Sequence, residues 1–399
     1  MTQRPSIALV FPYVLDPNKG GVQRSTWKMG HYLSGRGWDV LYVSTCKSKY
    51  HQEPTLGTFV QPDAPISSPS EIRRYLNKVF LDFPPAIAIN QVAMSEDIAD
   101  ALWALRRDDS LAGLINSYRA NPAAFQQNAR HLISNHVRIP GIASLLRSEI
   151  LITALLQLHR WRSAQKFRRA YEQCDRFMLL SPTFFDELRW YVPDARDDRM
   201  VAIPNGFPAV AGPTRLQNER QDILLFVGRI ENGQKNVFMI PDLWERLAPK
   251  LPGWEFHIVG DGPDIDALRN ALTKRGLTRV VLHGSCKPDA HYERAKIFTM
   301  LSSYEGFGNT LIEAQSHGVV PVAFNSYSAA PWILNDGVDA ELISPFDLDA
   351  YSKAVIDLAN DESRLHAMST ASRANADRFT ERAMGEAWEA LVCELLQTS

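Results

Sequence analysis

Within about forty residues of its start the chain runs through a buried apolar strand, Ile7 to Val14, a loop carrying Gly20 and Gly21, a helix ending near Gly35 and Gly37, and a second strand, Asp39 to Ser44. Parallel strands need a long crossover and antiparallel ones do not, so a strand, loop, helix and strand of these lengths is a βαβ unit. It commits the chain to a parallel sheet with helices on its faces. The same rhythm continues with AIAIN at Ile87, a helix capped by Ser95 and running through Arg106, and LAGLINSY leading to Arg119. FMLLS at Phe177, a helix from Thr183 to Tyr191 and MVAIPNG complete the first half.

From Phe207 to Asp222 the hydrophobic period lapses into Pro, Gly and polar residues, which reads as a linker. The rhythm then restarts: ILLFVGRI, a helix from Val237 to Ala248, EFHIVGDG, a helix from Ile265 to Arg275, VVLHGS, a helix through Ala295 and the strand IFTM. The predicted class is α/β with two doubly wound domains, residues 1–207 and 223–379, joined by 208–222. A final helix, 380–399, puts Trp388, Leu391 and Leu395 on one face.

At 399 residues and 45% apolar content, the chain is long enough and greasy enough for two or three real cores. A net charge of -2 exerts no general pull on nucleic acid. Cys46, Cys174, Cys286 and Cys393 have no paired spacing, which argues for a reducing compartment, the cytoplasm by default. IALVFPYV is too short for a membrane span or signal peptide. Residues 130–169 hold eight Arg or Lys against one acid, Glu149, interleaved with Ile142, Leu145, Leu146, Ile150, Leu151, Leu155, Leu158 and Trp161. Such a helix either lies on an anionic membrane surface or packs its apolar side on the sheet and solvates its charges.

The chemistry is expected around YEGFGNTLIEAQSHG, Tyr304 to Gly318. An apolar strand precedes it, Gly306-Phe307-Gly308 makes a tight turn, and a helix follows with Asn309 as its cap and Gly318 as its stop. A helix start attracts anions, while Glu305 before it and Glu313 just inside it can only accept hydrogen bonds, as from sugar hydroxyls. The pattern suits a phosphate flanked by two polyhydroxy rings, the shape of a nucleotide-sugar; the plain alternative is an ordinary strand-to-helix turn with two solvated glutamates. Arg229 and Lys235 in VGRIENGQKN supply the cations for a diphosphate clamp, or are two solvated surface cations.

No metal site is predicted. The D-x-D pairs, Asp264 with Asp266 and Asp347 with Asp349, stand at helix starts, where acids answer the dipole. The ten histidines show no ligand spacing along the chain, and no G-x-S-x-G elbow occurs. Gly260-x-Gly262 has Ile265 where a third dinucleotide-type glycine would stand, and reads as a close backbone approach.

With GGVQR, FMLLSPTF, IPNG, VGR with Lys235, HIVGDGP and EGFGNTLIEAQSHGVVPVAF in order along nearly the whole chain, the sequence resembles retaining glycosyltransferases of family 4, the glycosyl transferases group 1. That resemblance implies the GT-B fold, two Rossmann-like domains facing each other across a cleft with the C-terminal helix returning to the first. It implies that Arg229 and Lys235 bind the donor diphosphate, Glu305 the donor sugar and Glu313 the ribose. Gly228, Phe307, Gly308, Asn309, Thr310 and Leu311 would surround the donor, the base would rest near Ser285 to Lys287, and Gly20 and Gly21 would let the first domain close on it. Transfer would retain configuration and need no metal or cofactor. Where the family often has a histidine after LINSY, this chain has Arg119, a candidate contact to an anionic donor or acceptor group.

The expectation is therefore an enzyme moving a sugar from a UDP- or GDP-linked donor to a glycan or lipid-linked acceptor in polysaccharide biosynthesis, cytoplasmic or peripheral on the inner membrane face. A nucleotide-sugar epimerase or hydrolase and a non-catalytic nucleotide-sugar-binding protein stand as alternatives.

Overall fold

The computed structural model describes residues 5–17, 20–49, 52–66, 68–126, 129, 149–209 and 219–398. These fall into two compact units, one drawn from Met1–Pro122, Gln157–Pro208 and Phe379–Ser399, the other from Ala123–Leu156 and Ala209–Arg378. Residues 210–218, the centre of the expected linker, lie outside the described residues.

The first unit is built on seven strands: β1 (Ser6–Phe11), β2 (Asp39–Ser44), β3 (Thr58–Val60), β4 (Ile87–Asn90), β5 (Gly113–Ser117), β6 (Arg176–Leu179) and β7 (Met200–Ala202). Their order is β3-β2-β1-β4-β5-β6-β7, every pairing parallel. Ile7 to Phe11 are fully buried, because helices cover both faces of such a sheet and a central strand has no solvent side. Helix Gly21–Gly35 follows β1 and lies so close to β2 that a Cβ on Gly30 would sit 2.1 Å from the Tyr42 hydroxyl. The C-terminal helix Glu381–Thr398 belongs to this unit. Met384, Trp388, Leu391, Val392 and Leu395 share one core with Ile7, Leu9, Met29 and Leu33. Its entry is pinned by Phe207 N to Phe379 O and Glu381 N to Phe207 O, each 2.8 Å, and by the Lys28–Glu381 ion pair at 3.0 Å.

The second unit has six strands: β8 (Ile223–Val227), β9 (Glu255–Val259), β10 (Val280–Gly284), β11 (Ile297–Met300), β12 (Val320–Phe324) and β13 (Glu341–Ile343). Their order is β10-β9-β8-β11-β12-β13, again with parallel pairing. Trp244, Phe256, Ile258, Val322 and Tyr351 are among its core side chains. Gly260 and Gly262 answer to close packing, since a Cβ there would lie 1.8 Å from Gly228 O and 2.3 Å from Ile230 O. Asp264 accepts from Asn232 N at 2.8 Å and Asp347 caps Ala350 N at 2.9 Å, while Asp266 pairs with Arg269 and Asp349 with Arg246.

Part of the basic segment forms helix Glu149–Glu172, whereas Arg130, Arg138 and Arg147 lie outside the described residues. Lys166 pairs with Glu96 at 3.0 Å, Arg168 with Asp194 at 2.7 Å and Arg169 with Asp100. Ile150, Leu158 and Trp161 are exposed on the same helix. Among the described residues no helix is long and apolar enough to cross a membrane.

Candidate functional site

Two neighbouring strands of the second unit, β8 and β11, deliver the candidate residues at their carboxyl ends. After β8 comes Gly228 to Glu231 and then a single helical turn, Asn232–Lys235. The Glu231 carboxylate accepts from Gly233 N at 2.6 Å and Gln234 N at 3.1 Å, capping the turn, and Asn236 ends it with φ 51°. Asn236 Nδ2 donates to Leu301 O at 2.7 Å and its Oδ1 accepts from Ser303 Oγ at 3.0 Å. Ser303 N in turn donates to Gln234 O at 2.8 Å, so the two loops are sewn together before any charge is considered.

Across that seam lies Glu305, only 7% exposed. Lys235 Nζ donates to its Oε1 at 2.5 Å, and Gln234 Nε2 to its Oε2 at 3.1 Å. Both carboxylate oxygens thus receive donors from the β8 loop. Arg229, by contrast, is exposed, and its side chain has no hydrogen bond or ion pair with any described residue. The structure brings Lys235 and Glu305 together and leaves Arg229 a free cation in the same loop.

The helix after Glu305 is Asn309–Ser316, with Gly308 rather than Asn309 in the capping position. Asn309 is already helical because the chain turns through φ 98° at Gly308, a conformation that disfavours any residue with a side chain. A Cβ there would also lie 2.3 Å from the Tyr327 hydroxyl. Leu311 N donates to Gly308 O at 2.9 Å, Phe307 is buried, and Asn309 and Thr310 are half-buried. One turn on, Glu313 accepts from Tyr292 Oη at 3.2 Å. Gly318 stops the helix with φ 73°.

Gln234, Asn236 and Tyr327 escape the sequence reading. The first two sit in the quoted VGRIENGQKN stretch, but nothing local marks them as ties to another loop. Tyr327 has a buried hydroxyl without a hydrogen-bond partner among the described residues, and burial, with Glu305 nearby, pushes its pKa well above the ordinary phenol value.

In the first unit, Gly20 turns with φ 67° into the helix that starts at Gly21. Arg119, just past β5, faces that helix: Nη1 donates to Ser25 Oγ at 2.6 Å and Asn205 Oδ1 at 3.1 Å, and Nη2 to Gln91 Oε1 at 3.3 Å. The guanidinium stands 5.8 Å from the Trp388 ring, and its Nε is buried without a hydrogen-bond partner among the described residues. None of these acceptors is a carboxylate. Burial pulls the Arg119 pKa down to about 10, leaving it charged at neutral pH.

Two parallel sheets of Rossmann-like type, the second bearing this loop pair, define the GT-B glycosyltransferase fold. Residues 213–375 match the family model described as glycosyl transferases group 1. It is 29% identical over 202 residues to an exopolysaccharide phosphotransferase of Streptomyces coelicolor, 50% of this chain and 21% of that protein. It is 30% identical over 164 residues to the lipopolysaccharide 1,6-galactosyltransferase of Salmonella typhimurium, 39% of this chain and 45% of that one. The chain thus spans less than half the length of each of these relatives. The crystal structure of Anabaena Alr3699/HepE in complex with UDP and glucose shares the fold at TM-score 0.69 and 14% identity, over 98% of this chain and all of that one (100%).

Proposed function

We propose that the chain is a retaining, metal-independent glycosyltransferase that moves a sugar from a nucleotide-sugar to a glycan or lipid-linked acceptor in polysaccharide or lipopolysaccharide biosynthesis. The observation that carries the reading is the Lys235–Glu305–Gln234 tie, placed directly before a glycine-turned helix start with Arg229 unpaired beside it. The match to the group 1 model over residues 213–375 and a relative named lipopolysaccharide 1,6-galactosyltransferase support it.

In this reading the donor diphosphate lies before the amides of Asn309 and Thr310, where the helix dipole favours negative charge. Arg229 takes the phosphates bidentately. Lys235 shares its charge between Glu305 and the leaving group, which offsets the negative charge that develops as the sugar departs. The C1–O bond to the diphosphate breaks, the acceptor hydroxyl oxygen bonds to C1 on the same face, and its proton passes to the departing phosphate oxygen. Glu305 accepts hydrogen bonds from the donor sugar and orients it, and Glu313 does the same for the ribose. Arg119 meets an anionic group of donor or acceptor in the first unit.

The test is incubation with a panel of UDP- and GDP-sugars, with and without lipid-extract acceptors. Nucleotide release that depends on the acceptor, with the new linkage of the same anomeric configuration and unaffected by chelator, is expected. Release without any acceptor, or an inverted product, would overturn the reading.

A further inference from the structure

The histidines have no ligand spacing along the chain, yet folding gathers three of them in the second unit. His257 lies in the middle of β9, His283 near the end of β10 and His291 in helix Asp289–Arg294. One ring nitrogen from each lies within 4.8 Å of one from each of the others. His257 Nδ1 and His283 Nε2 are 3.1 Å apart, and the His283 and His291 ring centres 4.3 Å.

The tautomers can be read from the partners. Glu255 Oε2 lies 2.9 Å from His257 Nε2, and a carboxylate only accepts, so the proton is on Nε2 and the lone pair of Nδ1 points toward His283. A carboxylate behind a histidine is the usual way of orienting an imidazole that ligates a metal. The Nδ1 of His291 is buried without a hydrogen-bond partner among the described residues, and its Nε2 is 3.6 Å from the Cys286 sulfur.

We propose that His257, His283 and His291 form a binding site for a divalent transition-metal ion of the zinc class, a structural site separate from the sugar-transfer chemistry. Tetrahedral zinc with nitrogen ligands at about 2.0–2.1 Å sets them roughly 3.3 Å apart. The His257–His283 edge, where His283 Nε2 donates to His257 Nδ1 in the metal-free protein, is close to that at 3.1 Å, and the ion takes the place of the shared proton once His283 carries its own on Nδ1. The longer edges close by rotation of the half-buried His291, and Cys286, five residues before it and exposed, is placed to supply a soft fourth ligand. The ion would tie two strands to the following helix and so brace Ser285 to Lys287 between them.

Protein without a histidine tag, stripped by chelator, is titrated with Zn2+ against a chromophoric chelator, and with Co2+ while the visible d–d bands are recorded. One equivalent per chain is expected, with tetrahedral Co2+ absorption and a higher melting temperature. His283→Ala and His291→Gln should each weaken binding at least tenfold, while His366→Ala, outside the cluster, leaves it unchanged. Uptake well below one equivalent by the wild type overturns the proposal. So does unchanged binding by a His291→Gln protein whose circular dichroism is native.

Discussion

Lys235 Nζ and Glu305 Oε1, brought from loops after adjacent strands β8 and β11, meet at 2.5 Å, with the lysine side chain 14% and the glutamate 9% exposed. A near-buried pair of this kind holds the loop before the helix start in one position. Glu305→Gln should keep the fold, because an amide oxygen still accepts from Lys235, and lower transfer by about 10²-fold or more through loss of charge. Glu305→Ala leaves the lysine unpaired and should in addition cost about 2 kcal/mol of stability. Steady-state kinetics beside thermal melting separate the two. Equal activity in both variants and the wild type would remove Glu305 from the site.

Gly308→Ala should be destabilising by roughly 1–3 kcal/mol, since it combines a left-handed backbone with a Cβ pressed on the Tyr327 hydroxyl. Adding Tyr327→Phe removes the clashing oxygen but not the backbone strain. Partial recovery of the melting temperature in the double variant, measured as a thermodynamic cycle, is the expected result.

Arg119 is a buried cation whose named acceptors, Ser25, Asn205 and Gln91, are all neutral. A charge kept in that setting costs stability, so Arg119→Met should leave the melting point unchanged or raised. Transfer by the same variant should fall at least tenfold if the guanidinium meets an anionic substrate group. Arg119→His with an unaltered donor and acceptor profile would end that assignment.

Asp339 is buried against Asn335 and Gln315, and desolvation raises its pKa above the ordinary carboxylate value. At a pH between the unfolded and the raised folded value, the folded state holds a proton that the unfolded state has released. Stability is greatest below about pH 4, near the unfolded value, as far as this group alone is concerned, and falls as pH rises through the raised folded value. Asp339→Asn, whose amide can bond to a flipped Asn335, should flatten that part of the curve in melting experiments across pH 4–7.

The exposed Ile150, Leu158 and Trp161 share a helix with Arg160 and Arg162. If this face meets an anionic membrane, Trp161→Ser should reduce co-sedimentation with vesicles containing phosphatidylglycerol several-fold, and salt should reduce it further. Absence of vesicle binding by the wild type at low salt counts against the contact.

Hydrophobic period alone pointed to two parallel sheets, because strand and helix periodicities are local and a buried parallel strand must be apolar throughout, although β3, β12 and β13 were not read from it. β2, Asp39–Ser44, and the core face of the last helix through Trp388, Leu391 and Leu395 were legible to the residue. The helix after Glu305 was legible as an element, but its cap fell on Gly308 rather than Asn309 because a left-handed turn, invisible in composition, places the first helical residue. Only the tertiary structure decided which charges are spoken for. Lys235 and Glu305 are seventy positions apart, Arg119 and Ser25 ninety-four, and the three histidines come from two strands and a helix. Such pairings depend on strand order and loop course, which no spacing along the chain encodes. They separate the engaged Lys235 from the free Arg229, two cations that look equivalent in the sequence.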